Sequence, residues 1–301
     1  MAFIGCSLFN SNRNQPSSSQ PVVRDVPFEA RGDEGIRQRI LVLPFINSKI
    51  GTQSEELALA RQALVQDLLR TGRFVVVDAQ DFPEDVKKYL TPEGEYNLGE
   101  ISKKAAEMGL AAVLEGKLLS VKARKTGEPI GIVRDIKAEV TAQGRIRVFS
   151  AINGREVLNE VRTAIVESRT TRVLKKSYTD INLIDDPQLT RNAIIQAFRQ
   201  ITLDVVRSVE KLSWEGRVAM LQGERVYINA GRLSGIQIGD ILKVTEEGKE
   251  IYDPETGRFI GMAPGRMKGT VEIVSYFGKD GSIGIIHSGS GFEENDRVEI
   301  Y

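Results

Sequence analysis

Residues of the types that most often perform catalysis are scarce in this sequence. Its 301 residues include one cysteine and one histidine. A single cysteine excludes an intramolecular disulfide and a cysteine-rich zinc or iron–sulfur site. Most histidine-dependent mechanisms need more than the single histidine present here. His287 precedes Ser288, but a serine–histidine pair would need a third, orienting group that nothing in the sequence indicates. We therefore expect no catalytic residues and a protein that is not an enzyme.

Signals for bound ligands are also weak. Asp185 and Asp186 could ligate a metal, but Pro187 follows them, so helix capping explains them better. Neither a P-loop nor a Gly-x-Gly-x-x-Gly motif follows a predicted strand. Lysine plus arginine equals aspartate plus glutamate, at 41 each, so no overall positive field attracts nucleic acid. We expect no metal, cofactor, nucleotide or nucleic acid.

Cys6 is the one residue with a specific chemical signal. It follows Ala2-Phe3-Ile4-Gly5, a short apolar run that resembles a bacterial lipobox. In that pattern the signal peptide is cut before the cysteine, whose thiol is acylated and holds the protein on a membrane. Five residues are too few for a signal peptide, so we expect residues 1–5 to be the remainder of a longer one. A free cysteine at a frayed N-terminus is the alternative.

The segment after Cys6 has the composition of a tether. Residues 6–35 are rich in Ser, Asn, Gln and Pro and have no periodic apolar face, which predicts a flexible linker. The residue after Cys6 is Ser7, whereas an acidic residue there commonly marks retention in the inner membrane. The apolar-rich, uncharged stretch Ile40–Ser48 has nine residues, and a spanning helix needs about 20. We therefore expect a periplasmic body anchored to the outer membrane through Cys6.

Residues 36–212 predict an α/β domain with a long β-hairpin. The apolar runs Ile40–Leu43 and Phe74–Val77 are typical of buried strands, with a helix between them. From Ile136 to Val148 every even position is apolar or small and most odd positions are charged, which indicates one long strand with a solvated face. Asn153-Gly154 is a strong turn signal, after which Val157–Thr170 returns beside that strand.

The remaining residues, 213–301, predict a small β-barrel. Short strand signals alternate with glycines every eight to twelve residues. A composition of 41% apolar and 27% charged residues over 301 positions suits two globular domains. The predicted fold class is therefore α+β, an α/β-like domain with a long hairpin followed by a small barrel.

Three segments of the α/β domain carry a resemblance to a known family: Leu41-Val42-Leu43-Pro44-Phe45, Gly72-Arg73-Phe74-Val75-Val76-Val77-Asp78 and Ala111-Ala112-Val113-Leu114-Glu115-Gly116. They resemble the family shared by the curli secretion pore CsgG, the N-terminal domain of TolB and the middle domain of the flagellar assembly protein FlgT. The segments Gly216–Ala219, Val226–Gly231, Gly235–Asp240 and Asp253–Gly257 look like the C-terminal SH3-like barrel of the flagellar protein.

The resemblance implies a periplasmic subunit assembled near the outer membrane, most simply a homo-oligomeric ring around the flagellar basal body. A curli-type secretion pore, or an accessory protein of another envelope machine, is the alternative. A periplasmic enzyme or carbohydrate-binding module is a third hypothesis, without positive support in the sequence.

A membrane-facing hairpin needs a continuous lipid-facing row. The return strand instead places Asn159, Thr163 and Glu167 on the same face as Val161 and Ile165. This favours a hairpin buried between subunits, its apolar row covered by a neighbour. A basic cluster follows the hairpin, and it could contact a neighbour, lipid headgroups or acidic glycans, or be a solvated loop. The residues predicted to line the oligomer interface are Ile136, Val140, Arg145, Arg147, Arg169 and Arg172.

Overall fold

Helices and strands are mixed in this fold, which combines one sheet flanked by helices with a closed six-stranded barrel. The computed structural model describes residues 35–48, 55–130, 133–173, 187–257 and 259–301. Cys6, Asp185 and Asp186 lie outside these ranges. Within the described ranges, no helix is both long and apolar enough to cross a membrane. The α+β class predicted from the sequence agrees with this architecture.

The sheet begins with three parallel strands. Strand β1 (Gln38–Val42) lies between β3 (Phe74–Val77) and β4 (Ala112–Ile130), and the two-residue β2 (Ile46–Asn47) also pairs with β4. The apolar residues of β1 alternate between two cores. Ile40 and Val42 pack on one face, and Leu41 on the other. Both strands predicted from the two apolar runs are present, but only β1 is buried as predicted, because β3 lies at the edge of the sheet and only its Phe74 is buried.

Helices cover the two faces of these parallel strands. Helix α1 (Glu55–Arg70) packs its leucines at helical spacing against the first core and ends before Gly72, whose φ of 68° stops the helix. Helix α2 (Leu98–Glu107) packs against the second core. The connections after β1 and β3 therefore leave the sheet toward opposite faces.

Three long antiparallel strands form the rest of the sheet. β4 has 19 residues, and β5 (Val133–Ser150) and β6 (Glu156–Val173) have 18 each. We call these three strands the ribbon. The sequence predicted the β5–β6 hairpin, but the residues of β4 after Val121 are polar and carry no strand pattern of their own. They continue as a strand because β5 pairs with them through Ile130.

Two further helices cover one face of the ribbon. Helix α3 (Pro187–Arg199) and helix α4 (Thr202–Val209) contribute Ile194, Phe198 and Val205 to the first core. The Phe198 ring also contacts the ring of Phe45, with centroids 4.6 Å apart. Gly116 of β4 is required beneath Phe45, since a Cβ there would lie 2.5 Å from that ring.

The second part of the chain closes into a barrel with the strand order β12-β13-β8-β7-β14-β9. Its core includes Trp214, Val226 and Leu242. Strands β10 (Glu250–Tyr252) and β11 (Phe259–Met262) form a separate two-stranded hairpin. The barrel strands are β7 (Gly216–Gln222), β8 (Arg225–Ile228), β9 (Ile241–Thr245), β12 (Met267–Phe277), β13 (Gly281–Gly289) and β14 (Arg297–Ile300).

The barrel caps the carboxyl end of helix α2. Arg217 Nε donates to the Ala106 carbonyl at 3.1 Å, and Asn229 Nδ2 donates to the Met108 carbonyl at 2.9 Å. The Ala106 carbonyl also accepts from the Gly109 backbone N–H at 2.9 Å, and the Met108 carbonyl accepts from Arg39 Nη1 at 3.2 Å, so the barrel completes the hydrogen bonding at this end of the helix. Gly109, with a φ of 67°, turns the chain at this contact. Sheet and barrel belong to one compact unit, Glu34–Tyr301.

Candidate assembly surface

One face of the ribbon, here called the inner face, packs against helices α3 and α4 of the same chain, and the opposite face is the outer face. Val140 is 1% exposed and lies in the core that contains Ala193 and Phe198 of α3. The expectation that a neighbouring subunit covers this apolar row is therefore wrong. The reason is that α3, the next described element after the ribbon, carries an apolar stripe of its own, so this part of the row is buried within the subunit. Val140 accordingly cannot contact a neighbour in the folded subunit.

The outer face of the ribbon holds a charged residue that is completely buried. The Glu115 side chain is 0% exposed, and its carboxylate accepts hydrogen bonds from Arg147 Nε at 2.9 Å and Nη2 at 3.1 Å. The backbone N–H of Tyr96 donates to the same carboxylate at 2.9 Å. Arg147 is opposite Glu115 across the β4–β5 pair. This two-point geometry is the strong form of an arginine–carboxylate contact.

A second carboxylate extends this contact into a network. Glu95 accepts hydrogen bonds from Arg145 Nη2 at 2.7 Å and from Lys117 Nζ at 3.0 Å, and it lies 3.4 Å from Arg147. Burial alone would raise the pKa of Glu95, but the hydrogen bonds from Arg145 and Lys117 lower that pKa to about 2. We call these five residues the ion-pair network: Glu95, Glu115, Lys117, Arg145 and Arg147.

The network changes the role of two predicted interface residues. The Arg145 and Arg147 side chains are 19% and 15% exposed and are engaged within their own chain. They stabilise the outer face of the ribbon, and little of them is left for a neighbour. The sequence showed these charges but not their partners, because Glu95 and Arg145 are 50 positions apart.

The other predicted interface residues lie toward the far end of the ribbon. In the backbone register Ile136 is opposite Thr170, Lys137 is opposite Arg169, and Arg172 is opposite Arg134. The side chains of Ile136, Arg169 and Arg172 lie outside the described residues. Their part in an interface stays a prediction.

Each edge of the ribbon has a stretch without a neighbouring strand in the described part of the chain. β6 pairs with β5 alone over its 18 residues. β4 pairs with β1 at Ala112–Leu114 and with β2 at Lys117–Leu118, and beyond Leu118 with β5 alone. Such edges present rows of backbone N–H and C=O groups to another chain.

Exposed apolar side chains accompany the β6 edge. Val161 and Ile165, on the outer face, are 39% and 59% exposed, and each is flanked by the polar residues that the sequence places on that face. Charged residues also mark this strand, since Arg162 pairs with Glu160 at 2.5 Å and with Asp204 of α4 at 2.8 Å. The edge therefore combines hydrogen-bonding backbone, apolar contact area and charges that can set specificity.

No catalytic arrangement accompanies the lone histidine. His287 Nδ1 lies 3.2 Å from Thr270 Oγ1, which contacts Ser288 Oγ at 2.8 Å, and no carboxylate orients the ring among the described residues. Groups of three or more potential metal ligands are likewise not found in the ranges that the structure describes. The proposal that the protein is not an enzyme remains to be tested by experiment.

A cleft of about 440 Å³ lies where α2 and the turn after β5 meet the barrel. Its floor holds Glu215 and Arg297, whose Oε2 and Nε atoms are 3.3 Å apart, beside the buried Arg217. Burial raises the pKa of Glu215, and the two arginines oppose that rise only in part. The arrangement explains how charged side chains are accommodated at the junction between sheet and barrel.

No family model and no curated protein matches the chain. Similar solved structures include the hypothetical protein CT253 from Chlamydia trachomatis, at 14% identity and a TM-score of 0.37, over 57% of this chain and 98% of that chain. Lipoprotein GNA1162 from Neisseria meningitidis has 16% identity and a TM-score of 0.27 over 57% and 98%. A PelC dodecamer from Paraburkholderia phytofirmans has 14% identity and a TM-score of 0.26 over 55% and 87%. Bacterial lipoproteins are thus among the similar structures, but at these TM-scores none supports an inference about function.

Proposed function

We propose that this protein is a non-catalytic assembly subunit that forms a ring of identical copies in the periplasm, held at the outer membrane by a lipid on Cys6. The flagellar basal body is the machine favoured by the sequence resemblance to FlgT. The curli-type pore and other envelope machines are the alternatives.

The observation that carries the proposal is the pair of different free edges on one ribbon. The β6 edge of one copy can pair only with another unpaired strand edge. The β4 edge beyond Leu118 is unpaired on the opposite side of the ribbon. A contact between two different surfaces of identical subunits repeats in one direction and closes into a ring when the rotation permits. The occupant of each edge is therefore a second copy of the chain.

Charge on the two edges is complementary. Lys122 and Arg124 are exposed on β4, whereas Glu167, which pairs with Lys137 of its own chain at 2.7 Å, is exposed on β6. Arg124 and Glu167 are both opposite Glu139 of β5, so they lie at the same level on the two sides of the ribbon. In a ring where β6 of one copy runs beside β4 of the next, Glu167 lies next to the neighbour's Arg124. Opposite charges directly across a strand pair are favourable.

The faces of the ribbon argue for a scaffold over a pore. A strand in lipid needs an outward row of apolar side chains. The inner row, represented by Val140, is covered by α3, and the outer row carries the ion-pair network. Neither face of the ribbon, where its side chains are described, offers a continuous lipid-facing row.

Disulfide trapping tests the proposed pairing. Ser120 and Thr163 are both opposite Gln143, on the two sides of β5. Within one copy they are separated by two strand spacings, about 10 Å, which is too far for a disulfide. The membrane-bound Ser120→Cys/Thr163→Cys protein should form a ladder of linked dimers, trimers and larger species on mild oxidation.

Each single variant, and Ser120→Cys combined with Glu255→Cys in the exposed barrel turn, should give no ladder. Two other pairs allow for a shifted register: Lys122→Cys or Arg124→Cys, each with Thr163→Cys. If none of the three pairs gives linked oligomers, the two edges do not meet and the proposal is wrong.

A further inference from the structure

A second cleft lies at the carboxyl ends of the parallel strands, away from the ribbon edges. It has a volume of about 230 Å³ and opens between the loop after β1, the loop after β3 and helix α1. Its walls combine apolar side chains with one guanidinium, one carboxylate and one amide. The lining residues are Pro44, Phe45, Ala58, Arg61, Asp78, Ala79 and Gln80.

The topology of the sheet produces this cleft. The chain leaves β1 for α1 on one face and leaves β3 for α2 on the other face. Where neighbouring parallel strands send their connections to opposite faces, the two loops diverge and leave a crevice outside the carboxyl ends of the strands. Crevices of this kind are preferred ligand sites in sheets with parallel strands.

Arg61 is held in place at the floor of the cleft. Its Nε donates to the Val42 carbonyl at 3.1 Å and to the Leu43 carbonyl at 3.2 Å, and its Nη2 donates to the Val42 carbonyl at 2.8 Å. The guanidinium has five donors, and Nη1 has no acceptor among the residues that the structure describes. The side chain is 23% exposed and lines the cleft.

Asp78 places the opposite charge beside Arg61. Its Oδ1 lies 3.8 Å from Arg61 Nη2, which is longer than a hydrogen bond, and it accepts from the Gln80 backbone N–H at 3.4 Å. The guanidinium and the carboxylate therefore both line the cleft without forming a hydrogen bond to each other. The Asp78 side chain is 58% exposed and can be reached by a ligand.

We propose that this cleft binds a free α-amino acid, with the ligand's carboxylate on Arg61 and its ammonium group on Asp78. Such a ligand carries an ammonium group and a carboxylate group on the same carbon, so its two opposite charges match the adjacent guanidinium and carboxylate. The apolar walls formed by Pro44, Phe45 and Ala58 suit a small apolar side chain. The volume is below the roughly 300 Å³ at which sites for drug-sized ligands begin.

The inference does not depend on ring assembly, because no residue of the cleft belongs to a ribbon edge. Titration calorimetry of the purified chain with L-alanine tests it. We expect saturable binding, and binding that is at least about tenfold weaker for N-acetyl-alanine, which lacks the ammonium charge, and for alaninamide, which lacks the carboxylate.

Asp78→Asn separates the proposed contact from the fold, since asparagine still caps the turn that follows. This variant should bind L-alanine at least about tenfold more weakly, while the matched control Asp81→Asn, an exposed acid outside the cleft, should bind like the wild type. The inference is overturned if L-alanine, glycine and L-serine give no saturable heat up to about 10 mM, or if the two single-charge analogues bind equally well. Equal affinities of the two variants would also overturn it.

Discussion

Glu115 and Arg147 show at the residue scale how a charge on an apparently solvated strand face can be structural. The alternation of β5 predicted that its odd residues face water. The structure instead brings Glu95 over that face, so that cations and carboxylates cover one another. Alternation assigns residues to a face, but whether that face is covered depends on a loop distant in sequence. The network was therefore not predictable from the pattern of β5.

Breaking the buried contact should destabilise the subunit strongly. Glu115→Gln leaves the largely buried Arg147 guanidinium with a neutral partner, which we expect to lower the free energy of unfolding by about 3 kcal/mol. Urea denaturation followed by circular dichroism measures this. The control Glu160→Gln removes the partly exposed partner of Arg162 and should cost less than about 1 kcal/mol. Equal losses for the two variants would contradict the structural role of the network.

The depressed pKa of Glu95 predicts an acid-sensitive contribution to stability. The pKa of Glu95 falls from its ordinary value of 4.5 to about 2 on folding, so the unfolded chain binds the proton more readily than the folded one. The contribution is therefore complete above pH 4.5 and is lost as the pH falls toward 2. The difference in unfolding free energy between the wild type and Glu95→Gln should be constant at neutral pH and shrink across this interval. A difference that stays level through it would count against the prediction.

At the scale of elements, the strands of the ribbon were largely predictable from the sequence, but what covers each of its faces was not. Alternation from Ile136 to Val148 identified the strand, and Asn153-Gly154 identified its turn. The pattern could not show that the apolar row is covered by α3, since the helix and the strand carry complementary faces without any local signal that joins them. The polar end of β4 was missed because pairing with β5, not an intrinsic preference of Lys122 or Arg124, makes it a strand.

Because Val140 is buried within its own subunit, its substitution should affect folding of the monomer. Val140→Asp places an unpaired carboxylate in the core beneath α3 and should destabilise the monomer by about 4 kcal/mol or more. Thr141→Asp, one position along on the outer face, should cost less than about 1 kcal/mol. Thermal denaturation of both variants at low protein concentration tests this. A Val140→Asp monomer as stable as Thr141→Asp would contradict the assignment of the inner face to the subunit core.

Ile165 carries the prediction about assembly. Ile165→Lys replaces an apolar residue that is 59% exposed beside the β6 edge, so we expect weaker association of copies and an unchanged fold. Ile238→Lys changes a barrel residue that is 54% exposed and far in sequence from the ribbon. Sedimentation velocity should show loss of oligomer for the first variant alone. Should both variants assemble like the wild type, the β6 edge is not the interface.

At the scale of the whole molecule, the proposed lipid on Cys6 would hold the sheet and the barrel at a membrane. The sequence predicted an α/β domain at 36–212 and a barrel domain at 213–301, and these boundaries stay predictions. In the structure the barrel caps α2 through Arg217 and Asn229. That contact has no sequence signal, because it joins side chains to backbone carbonyls more than 100 positions away.

Removal of the anchor should release the body from the membrane. Cys6→Ser, made with the native upstream sequence, is expected to move the protein to the soluble periplasmic fraction, because its thiol is the proposed attachment point of the lipid. Fractionation in a strain lacking assembly partners provides the measurement, with Ser7→Ala as the control that stays in the membrane. A Cys6→Ser protein that still sediments with the membrane would exclude the lipid anchor.

The central claim is that copies of the chain close into a ring through the edges of the ribbon. Electron-microscopic imaging of the full-length, lipid-modified protein extracted in detergent tests it most directly. The account predicts closed particles with rotational symmetry for the wild type, which disappear in Ile165→Lys and persist in Ile238→Lys. Particles that remain monomeric at every concentration, or rings that persist unchanged in Ile165→Lys, would contradict it.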